Sequence, residues 1–198
     1  MVFEGGPAPF VKAPGSSDYS WSSFPYVAQH SIQCSLGVGG QMSERWVGLV
    51  VVGENVTVVD TEIPDGDDDP IIVLADDTWR LQKGDKAPAY SVLHQRCADY
   101  LRENGVQKVI VKASALPTGA ARLGLLTSAE VRGAIIAAAG SVCEVRILSK
   151  AVISRTYGER KVDEYLQDDD FWDEQTDGGK LRKTSREAAM LVVAARSA

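Results

Sequence analysis

Carboxylate side chains are the candidate reactive groups of this sequence. Asp60 and Glu62 lie two positions apart in a stretch rich in valine, so the alternation of a strand places both on one face. Glu54 precedes this pair, and Asp76 and Asp77 follow it. Because Mg²⁺ and Mn²⁺ prefer carboxylate oxygens as ligands, this group is a starting point for a divalent-metal site.

Other familiar metal and nucleotide motifs do not match. The three cysteines and two histidines are too widely spaced for a zinc site, and an odd cysteine count is typical of reduced thiols in a cytosolic protein. The acidic run 64–70 lacks the spacing of an EF-hand loop and reads as a solvated turn. The glycine-containing loop 117–124 is not a Walker loop; it is either a plain connection or one that brings Arg122 to a phosphate.

The elements that would position these residues alternate along the chain. A hairpin is predicted over 44–62, because residues 46–52 are an almost unbroken apolar run and a turn at Gly53 separates them from further β-branched residues. Capping boxes, Thr127 with Glu130 and Thr184 with Glu187, predict two helix starts. Periodicity predicts the remaining elements. They are strands over 71–75, 106–111 and 142–148, helices over 88–104, 127–140 and from 184 onward, and a short helix or turn into which 149–155 leads.

Two segments fall outside this alternation. Residues 1–43 form a predicted arm, rich in glycine, proline and serine but also in aromatic residues, which either covers its own domain or binds a partner. Residues 44–198 form the predicted domain, within which 158–183 is a polar insertion with an exposed aromatic pair in its acidic centre. This acidic centre either docks a partner or pairs with the basic flanks of the insertion. The aromatic side chains of these segments are the candidate partner-binding residues: Phe10, Trp21, Phe24, Tyr26, Phe171 and Trp172.

Charge and hydropathy exclude some classes of partner. The net charge of -6 argues against broad electrostatic capture of nucleic acid or of an anionic membrane. The charge is uneven: residues 1–104 have a balance of -8 and residues 105–198 a balance of +2, which leaves room for a local basic site. Neither a signal peptide nor an apolar run near the ~20 residues of a membrane span is recognised, so a cytoplasmic location without membrane contact is expected.

The predicted order of elements, β-β-β-α-β-α-β-α, resembles the ribonuclease H-like fold and, within it, the RuvC branch. The likeness is closer to a family of short bacterial proteins with a RuvC-like core. It is carried by VGLVVVGENVTVV, IIVLADDT, HQRCADYLRENGVQKVIVKAS, TGAARLG and LSKAVI, and covers roughly residues 45–198. The resemblance implies an α/β fold with a mixed five-stranded sheet of order 3-2-1-4-5, helices on both of its faces, and an irregular N-terminal arm outside it.

The resemblance also implies where catalytic carboxylates should lie. Active members hold two Mg²⁺ ions with carboxylates from the first strand, the fourth strand and the last helix, since two close cations need several anionic oxygens. The matching positions here are Val50, Lys112 and Glu187. Two of the three lack a carboxylate, and Lys112 is expected to pair with Glu187 and close the old site.

Three functional hypotheses follow. The first is a catalytically inactive RuvC-like protein without a cofactor, acting as a binding or scaffolding subunit of a protein or nucleoprotein assembly, with a protein partner or a second copy of itself. The second is a nucleic-acid-binding subunit with a basic cleft, formed by Lys112, Arg122, Lys150, Arg155, Lys183 and Arg186. The third is a nuclease that binds Mg²⁺ or Mn²⁺ through relocated carboxylates, drawn from Glu54, Asp60, Glu62, Asp76, Asp77 and Glu187.

Overall fold

The sheet is built outward from an antiparallel hairpin, as the sequence predicts. Strand β1 (Glu44–Val52) pairs with β2 (Asn55–Ile63) in a register that runs from Glu44 opposite Ile63 to Val52 opposite Asn55. Gly53 in the connecting turn has φ of 60°, a left-handed conformation that costs glycine little.

The computed structural model describes residues 43–66, 68–114, 123–158 and 160–197, all within the unit Gln41–Ala198. Residues 1–42 of the predicted arm, with their four candidate aromatics, and Arg122 lie outside the described residues.

Strand β3 (Ile71–Arg80) is twice as long as predicted. Its pairing with β2 continues through Asp76 and Asp77, which the sequence had placed beyond the strand. Acidic residues are depleted in strands, but Trp79 lies 1% exposed beneath the sheet and fixes the extension. The short prediction failed because a buried aromatic residue outweighed the local propensity of the two aspartates.

Two helix–strand units follow and extend the sheet on the other side of β1. Helix α1 (Lys86–Glu103) leads to β4 (Lys108–Lys112), and α2 (Leu123–Gly140) leads to β5 (Glu144–Leu148). β4 runs parallel to β1, and β5 runs parallel to β4.

The predicted capping box at the start of α2 is wrong. The helix already includes Leu123, and the hydroxyl of Thr127 donates to the carbonyl oxygen of Leu123 one turn earlier. Glu130 instead accepts hydrogen bonds from Lys86 and Tyr90 of α1. Thr127 and Glu130 therefore both lie inside α2, and Glu130 links α2 to α1.

The predicted polar insertion is part of the core. It contains α4 (Val162–Gln167), α5 (Asp169–Gln175) and the two-residue strand β6 (Thr176–Asp177), after α3 (Lys150–Tyr157) and before α6 (Arg186–Arg196). Trp172 is 2% exposed, and its indole N–H donates to the carbonyl oxygen of Tyr165 at 2.9 Å. Phe171 is half-buried, with its ring centroid 4.9 Å from that of Tyr165. The prediction of an exposed aromatic pair is therefore wrong.

The sheet has the order β5-β4-β1-β2-β3-β6, which confirms the predicted order 3-2-1-4-5 and adds β6 at the edge next to β3. Each face of the sheet covers its own apolar core. α1 and α2 pack on the face that contains Val47, Leu49 and Val109. The opposite face, with Val50 and Ile110, is covered by α6 together with residues of α3, α4 and α5.

Helix α2 contradicts the expectation that no segment is apolar enough to span a membrane. Its 18 residues have the length and composition of a span, and 28% of them are buried. Helices in the core of a globular protein have the same length and composition, and α2 packs on the sheet through Val131, Ile135, Ala138 and Ala139.

Candidate functional site

The three positions at which the resemblance places metal ligands lie together where α6 packs on the sheet. β1 and β4 are parallel with Leu49 opposite Val111, so the next residues, Val50 and Lys112, are neighbours on the face that α6 covers. The ammonium Nζ of Lys112 lies 2.6 Å from Oε1 of Glu187. The predicted ion pair is therefore present.

The chemistry of this group does not fit a divalent metal. Val50 is 3% exposed and offers no donor atom, and the ammonium of Lys112 repels a cation. Glu187 is the one carboxylate of the three, and it is already neutralised by Lys112. Among residues 43–66, 68–114, 123–158 and 160–197, no three side chains of His, Cys, Asp or Glu cluster as a metal site would require.

The capping box predicted for Glu187 does not form. α6 begins at Arg186, and Ser185 in the N-cap position makes no side-chain cap hydrogen bond. The hydroxyl of Ser185 instead donates to Asp76 at 2.5 Å. Because Glu187 does not cap the helix, its carboxylate is available for the ion pair with Lys112.

The relocated carboxylates of the third hypothesis are divided between the two faces of the sheet. Asp60 is fully buried on the α1 side, where Arg45 donates to it from Nε at 2.8 Å and from Nη2 at 2.7 Å, and Tyr100 donates at 2.5 Å. Asp77 accepts from the indole of Trp79 at 3.0 Å. Asp76 lies on the α6 side. These carboxylates accept hydrogen bonds from the protein's own donors and lie on different faces of the sheet, so the geometry does not join them into one metal site.

Asp76 fastens the segment before α6 to the sheet. Its carboxylate accepts from the backbone N–H of Arg182 at 3.0 Å, from the guanidinium of Arg182 at 2.5 Å and from Ser185. Burial alone would raise the pKa of Asp76, but the hydrogen bonds from Arg182 and Ser185 outweigh it and lower the pKa below its ordinary value. Sequence reasoning found neither partner, because both lie more than 100 positions away.

This lowered pKa predicts how stability depends on pH. A carboxyl whose pKa is lower in the folded state adds stability above its unfolded pKa of 3.8, and this contribution is lost as the pH falls through the folded pKa. We therefore expect Asp76→Asn to lower the free energy of unfolding at neutral pH and to flatten its decline below pH ~4. Urea unfolding of both proteins between neutral pH and pH ~3 measures this; parallel curves would contradict it.

The predicted basic cleft is largely neutralised. Lys150 lies 3.1 Å from Asp163, and Lys183 lies 3.9 Å from Asp169. Arg186 is 2% exposed and donates to the carbonyl oxygen of Leu166 and to Asp169, so its assignment as a phosphate contact is wrong. Arg155 is exposed, and within the described ranges it has no acidic partner in ion-pair distance.

Comparisons with known proteins agree with this fold. No protein-family model matches the sequence, and no curated protein matches it. Among solved structures, Thermus thermophilus RuvC has a TM-score of 0.60 at 10% identity, over 76% of this chain and 92% of that one. T. thermophilus RuvC in complex with a Holliday junction substrate has a TM-score of 0.58 at 10% identity, over 76% and 91%.

A third similar structure comes from a eukaryote. The yeast mitochondrial Holliday junction resolvase Ydc2 has a TM-score of 0.55 at 10% identity, and the match covers 78% of this chain and 80% of that one. Likeness at such low identity establishes architecture. The chain therefore has the ribonuclease H-like fold that these RuvC structures share.

Proposed function

We propose that this chain is a RuvC-like protein that does not cut nucleic acid and works by binding, as a scaffolding subunit of a protein assembly. One observation carries the proposal: the 2.6 Å ion pair between Lys112 and Glu187, with buried Val50 beside it. We place this function in the cytoplasm, because Cys97 and Cys143 are free thiols.

The argument is electrostatic. Mg²⁺ requires close to six oxygen ligands in octahedral geometry, and two-metal catalysis requires carboxylates that bridge or flank both ions. The ammonium of Lys112, at the fourth-strand position, carries a positive charge and has no lone pair that could coordinate a metal ion. The Lys112 and Glu187 side chains are 26% and 22% exposed, so water screens the pair only partly and a cation gains little by competing with Lys112.

A nucleic acid is the second candidate partner, because one of the similar structures is RuvC bound to a Holliday junction. The described surface gives this alternative less support. Four of the five described basic candidates are paired with carboxylates, and one of these four, Arg186, is also buried. A protein partner, or a second copy of this chain, is therefore the better-supported occupant.

The proposal is tested with the full chain and divalent cations. We expect the wild type to leave four-way junctions, single strands and duplexes uncut in Mg²⁺ or Mn²⁺, and its Tm to be unchanged by Mn²⁺. Lys112→Glu places a second carboxylate beside Glu187, so its Tm should rise with Mn²⁺ by about 2–4 °C per kcal/mol of binding free energy.

Lys112→Met is the matched control, since it removes the ammonium without adding an oxygen ligand, and its Tm should not respond to Mn²⁺. Two outcomes would overturn the proposal. One is cleavage by the wild type that a chelator abolishes. The other is a Tm of the wild type that rises with Mn²⁺ as much as that of Lys112→Glu.

A further inference from the structure

A cavity of about 310 Å³ lies between α5, β6 and the start of α6. Its wall is formed by residues of α5, by β6, by residues 178–181 and by Arg186. Val50, Lys112 and Glu187 are not part of this wall, so the cavity is separate from the group described above. Its volume is at the lower end of the range for small-molecule sites, which suits a small metabolite.

Arg186 brings a buried hydrogen-bond donor to this cavity. The residue is 2% exposed, and its Nη1 donates to the carbonyl oxygen of Leu166 at 3.1 Å while Nη2 donates to Asp169. Its Nε is also buried, and among the described residues no acceptor lies within hydrogen-bonding distance of it. A buried donor without an acceptor destabilises the fold, and an oxygen atom of a ligand in the cavity would supply the missing acceptor.

Two exposed side chains of opposite charge, Lys180 and Asp173, line the same cavity. Within the part of the chain that the structure describes, neither of them has a partner in ion-pair distance. They do not pair with each other either, although both face the same space. A ligand that carries one charge of each sign can therefore interact with both.

The charges of the wall add up to zero, because Asp173 and Asp177 balance Lys180 and Arg186. Behind the wall, Asp169 neutralises Arg186, and the hydrogen bond from Arg186 is the main reason why the pKa of Asp169 is lowered. A phosphate dianion would meet two carboxylates without an excess of positive charge. A zwitterion avoids this repulsion, since each of its charged groups has an opposite charge to face.

We propose that this cavity binds a free α-amino acid with an apolar side chain. The carboxylate of the ligand accepts a hydrogen bond from Nε of Arg186 and pairs with Lys180, and its ammonium group faces Asp173. Trp172 and Leu181 are the large apolar residues of the wall, and they favour an apolar side chain on the ligand.

This inference goes beyond the proposed scaffolding role and does not rest on the loss of the metal site. Arg186 and Glu187 are neighbours in α6, but their side chains have different partners: Asp169 binds Arg186, and Lys112 binds Glu187. Lys112→Glu should therefore leave the binding of an amino acid unchanged. Metal binding and amino-acid binding can be tested separately, and either proposal can fail alone.

The first test is calorimetric titration of the full chain with L-leucine, for which we expect saturable binding. Two analogues each lack one charged group: 4-methylpentanoate has no ammonium, and 3-methylbutylamine has no carboxylate. Each should bind about tenfold more weakly than L-leucine, because each loses one charged contact. Inorganic phosphate should bind more weakly than L-leucine as well, since the wall has no excess of positive charge.

The second test uses variants of the wall. Arg186→Lys keeps a positive charge beside Asp169 but removes the Nε–H, and Asp173→Asn removes the charge that faces the ammonium. Each should weaken the binding of L-leucine by about tenfold. Glu174→Gln is the matched control, because Glu174 is the next residue of α5, is exposed and does not line the cavity. Circular dichroism and Tm report whether Arg186→Lys stays folded; the exposed Asp173 provides the test if it does not.

Three results would overturn the proposal. The first is the absence of saturable binding of L-leucine up to about 10 mM. The second is phosphate binding at least as tight as that of L-leucine, which would indicate a site for anions. The third is equal affinity of the wild type and Asp173→Asn for L-leucine, which would place the amino acid elsewhere on the protein.

Discussion

Replacing Asp60 by alanine is expected to lower the free energy of unfolding by about 3–5 kcal/mol. The carboxylate is fully buried and accepts two hydrogen bonds from Arg45 and one from Tyr100. Its removal leaves a partly buried guanidinium without a counter-charge and a phenol without an acceptor, and both costs follow from the loss of one side chain. Urea unfolding of the wild type and of Asp60→Ala, with comparison of the m-values, measures the loss.

Asp77 provides the matched control. It is also an aspartate of the central sheet paired with an arginine, but its side chain is 57% exposed, that of Arg96 is 51% exposed, and their atoms are 3.4 Å apart. Asp77→Asn removes the charge but keeps an acceptor oxygen for the Trp79 indole, so it should cost within about 1 kcal/mol. If the two variants lose similar stability, burial of Asp60 is not what makes its ion pair important, and the expectation is wrong.

The same network illustrates what the sequence could and could not provide. Alternation predicted that Asp60 and Glu62 share a face of β2, and this follows from strand geometry alone. It did not predict that the face lies under α1, where Tyr100 and Arg45 take the oxygens of Asp60. Which donors reach a carboxylate depends on helix packing, and packing brings together residues 40 positions apart.

The ion pair of Lys112 and Glu187 could be predicted because it needed little packing detail. The order of elements placed Lys112 at the end of β4 and Glu187 near the start of α6, and the resemblance placed both ends at one site. The predictions of the two capping boxes failed because a capping box depends on the residue at which the helix begins. Thr127 lies inside α2, and Ser185 rather than Thr184 takes the N-cap position of α6, so Glu130 was free to bind Lys86 and Glu187 to bind Lys112.

The acidic composition of residues 158–183 led to the wrong prediction of an exposed aromatic pair. Its carboxylates lie on the outside of two short helices, while Val162, Tyr165 and Trp172 form their inner side. Because Asp168 ends one helix and caps the next, the apolar spacing is interrupted and no single periodic pattern remains to be recognised. Burial of Trp172 depends on its packing in the core beneath the sheet and on its hydrogen bond to Tyr165, which local sequence patterns do not predict.

Gly48→Ala is the second substitution with a large expected effect. A Cβ at this position of β1 would lie 2.1 Å from the carbonyl oxygen of Ala188 and 3.1 Å from Cγ2 of Val192, both in α6. The clash is with helix backbone, which cannot move without the helix. α6 is buried on most of its surface, so its displacement disturbs a whole core, and we expect a loss of about 3 kcal/mol or more.

Gly124→Ala is the control, because a Cβ on Gly124 meets nothing within 4 Å and alanine is the better helix former. It should leave the Tm unchanged or raise it, whereas Gly48→Ala lowers it. Amide hydrogen exchange adds a local measurement: displacement of α6 should speed exchange in Arg186–Arg196 more than in Lys86–Glu103 on the other face. Equal Tm values for Gly48→Ala and the wild type would mean that α6 can shift away from β1 at little cost. The close approach that holds Glu187 beside Lys112 would then not be a fixed property of the fold.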